Sequence, residues 1–389
     1  TGGGTLRIAS NNYFPQGDFG EFIGPNGGTV EYYSIGGNIT IPITSSVTGL
    51  TLNQYRNLVI NHTDGGIITL PNSNLNIHEN LTIIGGAAGD CYTSTVAPRT
   101  ITINGDFNIN GRFQFRNVVL STIRVIGDLN IGSGARFIVR NGGAPVVDNT
   151  LEIYGNLSSA GNFNMVGGTY RAFTYFKGTS NTSISSSGTG TIGFYNLFVD
   201  KGNNPSPILS LLSNITTGIS NPFLTLLNGT FRVNNSSLTV TLTDGGTNFE
   251  IPPTAALSVN AGEVRVAYGA GTANLLLSGR LEVLGGSMYI GNPAAATNNS
   301  IEYASAGKPE ILIEGGNLFV NGQIRRPTTT TSGSLNFIQS GGIVTIHGKT
   351  RIQNRAMLEI VNSGSLLSLS GGTISFDRPS ALGTTFNDI

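Results

Sequence analysis

The chain has 389 residues and is formally neutral: 21 basic side chains balance 21 acidic ones, and only 11% of residues are charged. That composition excludes the basic footprint of a nucleic-acid binder, and no run approaches the roughly 18 apolar residues of a membrane-spanning helix. Apolar residues make up 38% of the chain and recur in alternation, so a core can form and intrinsic disorder is excluded.

The chain begins at Thr1 with neither a methionine nor a signal-peptide pattern, which predicts a processed or trimmed piece of something larger. The first alternating segments are Gly28-Thr29-Val30-Glu31-Tyr32, then Asn38-Ile39-Thr40-Ile41, then Tyr55-Arg56-Asn57-Leu58-Val59-Ile60. His62, His78 and, much later, His347 stand singly and lack metal-ligand spacing. Cys91 is the only cysteine, so no intrachain disulfide can form, and it reads as a small buried or loop residue.

Residues 103–117 and 125–141 are near copies. Gly105-Asp106-Phe107-Asn108-Ile109 aligns with Gly127-Asp128-Leu129-Asn130-Ile131, an offset of 22 (105 to 127). Arg112-Phe113 and Arg116-Asn117 align with Arg136-Phe137 and Arg140-Asn141, an offset of 24 (112 to 136). The unit apolar-x-apolar, Gly, apolar-x-apolar continues through Leu151, Ile153, Gly155 and Leu157. It returns at Leu257–Val266, Leu275–Val283, Ile311–Val320 and Val344–Ile352. Period-two alternation puts the apolar side chains on one strand face, and glycine permits the positive φ of a tight corner.

Like sequences recurring in one direction, a coil apart, predict a right-handed parallel β-helix, an all-β solenoid with loop insertions. Sandwich and propeller folds are the alternatives. At ~20–28 residues and about 4.8 Å per coil, the expected body is a single rod over 1–389, roughly 70–90 Å long. A change of texture near residue 201 permits an N-terminal half 1–200 and a C-terminal half 201–389. Lys201–Pro207, Asn292–Lys308 and the segment from Arg326 through Ser334 read as corner insertions. Aligning Glu263-Val264-Arg265 with Arg280-Leu281-Glu282 predicts opposite charges stacked on adjacent coils.

Two constellations carry chemistry. Stacked coils place Asp106 beside Asp128 at about 5 Å. Such a pair either binds a hard cation, for which calcium fits, or accepts backbone N–H bonds at a corner. Arg112 over Arg136 and Arg116 over Arg140 form two short basic rows. These suit the carboxylates or sulfates of an acidic polysaccharide, unless Asp106, Asp128, Asp148 or a partner subunit neutralises them.

The order seen at 28–60 repeats as Tyr175-Phe176-Lys177-Gly178, Ser183-Ile184 and Phe194-Tyr195-Asn196-Leu197-Phe198-Val199, and Ser300-Ile301-Glu302-Tyr303 starts a third copy. This arrangement resembles repeats of large secreted surface proteins of Bacteroidota exported by the type IX secretion system. The resemblance implies adhesion, surface-layer or scaffold roles and an extracellular, cell-surface or secreted location. It carries over no active-site residue.

The expectation is therefore a non-catalytic surface adhesin or stalk segment whose partners are surface glycans or other surface proteins. No nucleic acid, no membrane span and no cofactor other than calcium enters this reading. A polysaccharide lyase or glycoside hydrolase of the β-helix type is the alternative, with Glu310 and Glu314 as the carboxylates to examine. Secreted cargo or a subunit of a larger surface or secretion complex is the third.

Overall fold

The computed structural model describes residues 3–9, 13–45, 49–86, 89–93, 96, 98–116, 119–140, 147–167, 170–217, 222–244, 246–350 and 355–377. Asn117, Asn141 and Ile352, on which the sequence reading also drew, lie outside these. The described residues are almost entirely β, with one four-residue helix, Gly20–Ile23. None of their helices is long and apolar enough to cross a membrane. The strands stack as parallel coils, the β-solenoid that the repeat predicts. The chain divides into two compact units. Unit 1 is Thr1–Lys177, Thr182–Leu197 and Asn214–Gly218; unit 2 is Gly178–Asn181, Phe198–Ser213 and Ile219–Ile389.

Each coil of unit 1 contributes strands to three faces. The first includes Asn57–His62, Leu81–Gly85, Phe107–Asn110, Leu129–Ile131 and Leu157–Ser159. The second includes Ile67–Thr69, Asp90–Tyr92, Arg112–Phe115, Arg136–Val139 and Asn162–Asn164. The third includes Leu75–Ile77, Arg99–Ile103, Ser121–Val125 and Asp148–Ile153. The near copies lie in the expected register: Phe107 faces Leu129, Asn108 faces Asn130, and Phe113 faces Phe137. Inside, Phe113, Phe137, Phe163 and Phe194 form a column with ring centroids 5.2, 5.8 and 5.5 Å apart, all fully buried. Burying one such ring stabilises the fold by about 1.5–3 kcal/mol. Cys91 extends the column between Ile68 and Phe113, and burial pushes its thiol pKa up.

The corner glycines divide into two kinds. Gly262 and Gly348 have φ of 86° and 61°, as expected. Gly105, Gly127 and Gly155 are not among the positive-φ glycines, and a different constraint holds them. A Cβ on Gly155 would lie 2.3 Å from the carbonyl oxygen of Gly127, and one on Gly127 would lie 2.5 Å from that of Gly105. Here the repeat keeps glycine because consecutive corners touch backbone to backbone.

Unit 2 carries two adjoining strand rows that bend at Gly-Gly corners and a third row, Phe249–Ile251, Leu275–Leu277, Ile301–Tyr303 and Ile324–Arg325. Two expectations are corrected here. Ile301–Tyr303, which the sequence reads both as the start of a third module copy and as part of the insertion Asn292–Lys308, is a strand of the third face, so the insertion reading is corrected over these residues. Glu263 does not stack on Arg280, nor Arg265 on Glu282. In the long strand Ala255–Val266, Glu263 and Arg265 face Ser287 and Tyr289, whereas Ala256 and Ser258 face Arg280 and Glu282. Seventeen residues (263 to 280) are too few for a full coil, so the aligned segments lie on different strand rows. Arg265 instead pairs with Glu263 on its own strand, and Arg280 pairs with Glu310 of the next coil at 2.7 Å.

The third face of unit 2 ends in a buried ionic cluster. Glu359, 4% exposed, accepts from Arg355 Nε at 2.6 Å and from the Arg326 backbone N–H at 3.2 Å, while its carbonyl accepts the Tyr303 hydroxyl at 2.8 Å. Burial alone would raise the Glu359 pKa, but the hydrogen bonds from Arg355 and Arg326 outweigh it and hold the pKa below its ordinary 4.5. A depressed pKa contributes stability above the unfolded-state pKa and loses it as pH falls through the folded-state one.

Two predictions follow from these packing constraints. Gly155→Ala is expected to destabilise unit 1 by about 1–3 kcal/mol, read as a lower urea midpoint; an unchanged midpoint would contradict the backbone contact. Glu359→Gln is expected to cost about 2–3 kcal/mol at neutral pH, because two guanidiniums lose their counter-charge. The deficit should shrink in acid, where the wild-type carboxylate is protonated, and thermal melts of both proteins at neutral and acidic pH measure it.

Candidate anion-binding face

The second face of unit 1 gathers the four sequence-predicted arginines. Arg112 and Arg136 are opposite one another in register, and Arg116 and Arg140 occupy the next outward positions beyond their strands' ends. Their backbones are fixed by the stack: Arg116 N–H donates to Thr93 Oγ1 at 2.8 Å, and Arg140 N–H donates to the Phe115 carbonyl at 3.0 Å.

The side chains of Arg112, Arg116 and Arg140 converge on one coil, the one that carries Asp90 and Tyr92. Arg116 lies over the Tyr92 ring, 4.3 Å from its centroid, and Arg140 approaches the same ring at 5.5 Å. Tyr92 donates its hydroxyl to Asp90 Oδ2 at 3.0 Å, and Gln114 Nε2 donates to Asp90 Oδ1 at 2.8 Å. Arg112 Nε forms an ion pair with Asp90 Oδ1 at 3.0 Å. Burial, then the adjacent Asp90 charge, pushes the Tyr92 pKa up, so the phenol remains a donor. Asp90 thus neutralises Arg112, rather than Asp106, Asp128 or Asp148. Asp148 is paired with Arg171 in the third face. Arg136 is exposed and has no carboxylate partner among the described residues. Among the described residues, Asp90 is the one carboxylate seen paired with any of these four guanidiniums, and it pairs with Arg112. Two of them, Arg116 and Arg140, lie over one aromatic ring, a cation–π contact that restricts their donor forks.

Sequence reading missed Asp90, Tyr92 and Gln114. Asp90-Cys91-Tyr92 is a three-residue strand with no likeness to the repeat. Placing it one coil before Arg112-Phe113-Gln114, an offset of 22 (90 to 112), would have revealed the column.

Asp106 and Asp128 belong to a corner ladder. Asp106 N–H donates to Asn80 Oδ1 at 2.8 Å, Asp128 N–H to Asp106 Oδ1 at 2.8 Å, and Asn156 N–H to Asp128 Oδ1 at 2.7 Å. Asn57 begins the row and Ser183 N–H ends it on Asn156 Oδ1. One oxygen of each carboxylate is therefore committed to the next coil's backbone, as the corner reading anticipates. Among the described residues, no three His, Cys, Asp or Glu side chains converge as a metal site.

The histidines have separate environments. His62 is buried beneath Gly85, with the Arg112 N–H 3.4 Å from Nε2, and burial lowers its pKa. His78 Nε2 meets Gln54 Oε1 at 3.0 Å, and His347 pairs with Asp377 at 3.3 Å. Glu310 is tied to Arg280, and Glu314 is exposed beyond the end of its strand. No known protein family, no curated protein and no solved structure matches the chain.

Removing a ladder acceptor strands the next coil's N–H. Asp106→Ala is expected to cost about 1–2 kcal/mol, whereas Asp106→Asn, which keeps an oxygen in place, should stay within about 0.5 kcal/mol. Urea melts in the presence of a chelator measure both, and equal losses for the two variants would show that the charge, not the acceptor, matters.

Proposed function

We propose that this chain is a non-catalytic segment of an extracellular surface adhesin or stalk, and that its arginine face holds the carboxylate or sulfate groups of acidic surface glycans. The observation that carries this reading is the pair Arg116 and Arg140, both packed on Tyr92 beside exposed Arg136, with Asp90 already occupied by Arg112, Gln114 and Tyr92. Stacking on the ring lowers the rotamer entropy that a free arginine would lose on binding. Each oriented fork can then make two parallel charge-assisted hydrogen bonds to a planar or tetrahedral anion. A passive role suits the stack, in which every coil is a platform for the next. Export to the cell surface, by the type IX route that the repeat style suggests, belongs to the same proposal.

The test is retention on immobilised heparin and alginate. Wild-type protein should bind at low ionic strength and elute with salt. Arg116→Ala/Arg140→Ala should weaken binding about tenfold, equivalent to ~1.4 kcal/mol, and loss of all four arginines should abolish retention. Elution of the fourfold variant at the wild-type salt concentration would refute the proposal.

A further inference from the structure

One outward column of unit 2 reads Arg265, Tyr289, Phe319, Thr345 and Ser375 in unbroken register, one residue per coil. Tyr289 and Phe319 lie face to face, with centroids 4.7 Å apart and planes 6° from parallel. Tyr268 meets Tyr289 edge-on at 5.8 Å, and Arg265 lies over Tyr268 at 4.3 Å. Aromatic pairs of this kind stabilise adjacent strands, which accounts for Tyr289, enclosed from both sides.

The far end of the column is different. Phe319 is half-buried, Tyr289 covers one of its faces, and among the described residues no ring covers the other. The next two positions are the short hydroxyl residues Thr345 and Ser375. With coils about 4.8 Å apart, these leave a step roughly two coils deep, with an aromatic face as its wall and hydroxyls on its floor. The neighbouring outward column, Asn317, Ile343 and Thr373, borders it with two polar groups and one exposed apolar side chain. No formal charge stands in the column beyond Phe319. Beside the column, Asp377 is 64% exposed and 3.3 Å from His347, whose pKa burial lowers, so the charge bordering the step is a carboxylate; at the column's other end Arg265 is paired with Glu263.

We propose that this step is a stacking subsite for a neutral pyranose ring of a β-linked glucan. Polarity and charge select that occupant. A β-glucosyl unit presents C–H groups on its ring faces and equatorial hydroxyls around its rim. Its face covers Phe319 while its rim meets Thr345, Ser375 and Asn317. An apolar peptide would bury the two side-chain hydroxyls without partners. An anionic sugar would find no guanidinium beyond Phe319. The site is chemically distinct from the arginine face of unit 1, and neither depends on the other.

The experiment is calorimetric titration of the whole chain with cellohexaose. The wild type should show saturable binding, and Phe319→Ala should weaken it at least about tenfold. Because Phe319→Ala also removes a strand-stabilising ring, Thr345→Phe is the second variant. It continues the aromatic column, fills the step, and should weaken binding to the same extent in a folded protein. Arg116→Ala/Arg140→Ala should bind cellohexaose with wild-type affinity. Absence of saturable binding by the wild type, undiminished affinity in Thr345→Phe, or loss of affinity in the arginine variant would each overturn the assignment.

Discussion

Parallel backbone pairing between coils about 4.8 Å apart repeats each residue's surroundings one coil later, and the other features of the protein depend on that translation. An apolar residue at an inward position requires another above it, and so Phe113, Phe137 and Phe163 stack. A corner acceptor requires an N–H above it, and so Asn80, Asp106, Asp128 and Asn156 form one ladder. Where corners touch, the spacing leaves no room for a Cβ, and Gly105, Gly127 and Gly155 follow.

The same translation concentrates like residues on the outer faces, where it can work against stability. Arg112 above Arg136 is a like-charge pair, unfavourable in a strand pair unless it is screened or neutralised. Asp90 on the preceding coil relieves part of that repulsion by pairing with Arg112, and the Tyr92 ring takes up the next arginine row, Arg116 and Arg140. Elsewhere the outward charges alternate: Arg124 pairs with Glu152 at 2.6 Å, and Arg280 with Glu310 at 2.7 Å. Such half-exposed pairs contribute little energy individually, but they leave the arginine face of unit 1 as a place where cationic charge exceeds its counter-charge. In unit 2 the corresponding surplus is aromatic, where the column of Tyr289 and Phe319 gives way to Thr345.

What could be read from the residues alone was whatever the translation copies. Two segments with matching Gly, Asp, Asn, Phe and Arg positions were enough to specify parallel coils, their register and the inward phenylalanine column, because a one-residue slip would turn every inward side chain outward. The pairing of Arg112 with Arg136 and of Asp106 with Asp128 came with that register. Features without a copy were not legible. Asp90-Cys91-Tyr92 is a strand too short to show a period, and it supplies the ring on which Arg116 and Arg140 rest.

The sequence by itself determined the fold class, the register of the best repeats and which apolar side chains of those repeats are buried, since all three follow from period-two alternation and coil-length recurrence. Only the tertiary structure decided which charges meet. Glu263 and Arg280 align in sequence yet lie on different strand rows, while Asp90 reaches Arg112 without any likeness between their segments. The physical reason is that side-chain pairing depends on where a coil bends, and the bends of this chain are placed by close backbone contacts and glycine φ values that composition does not display.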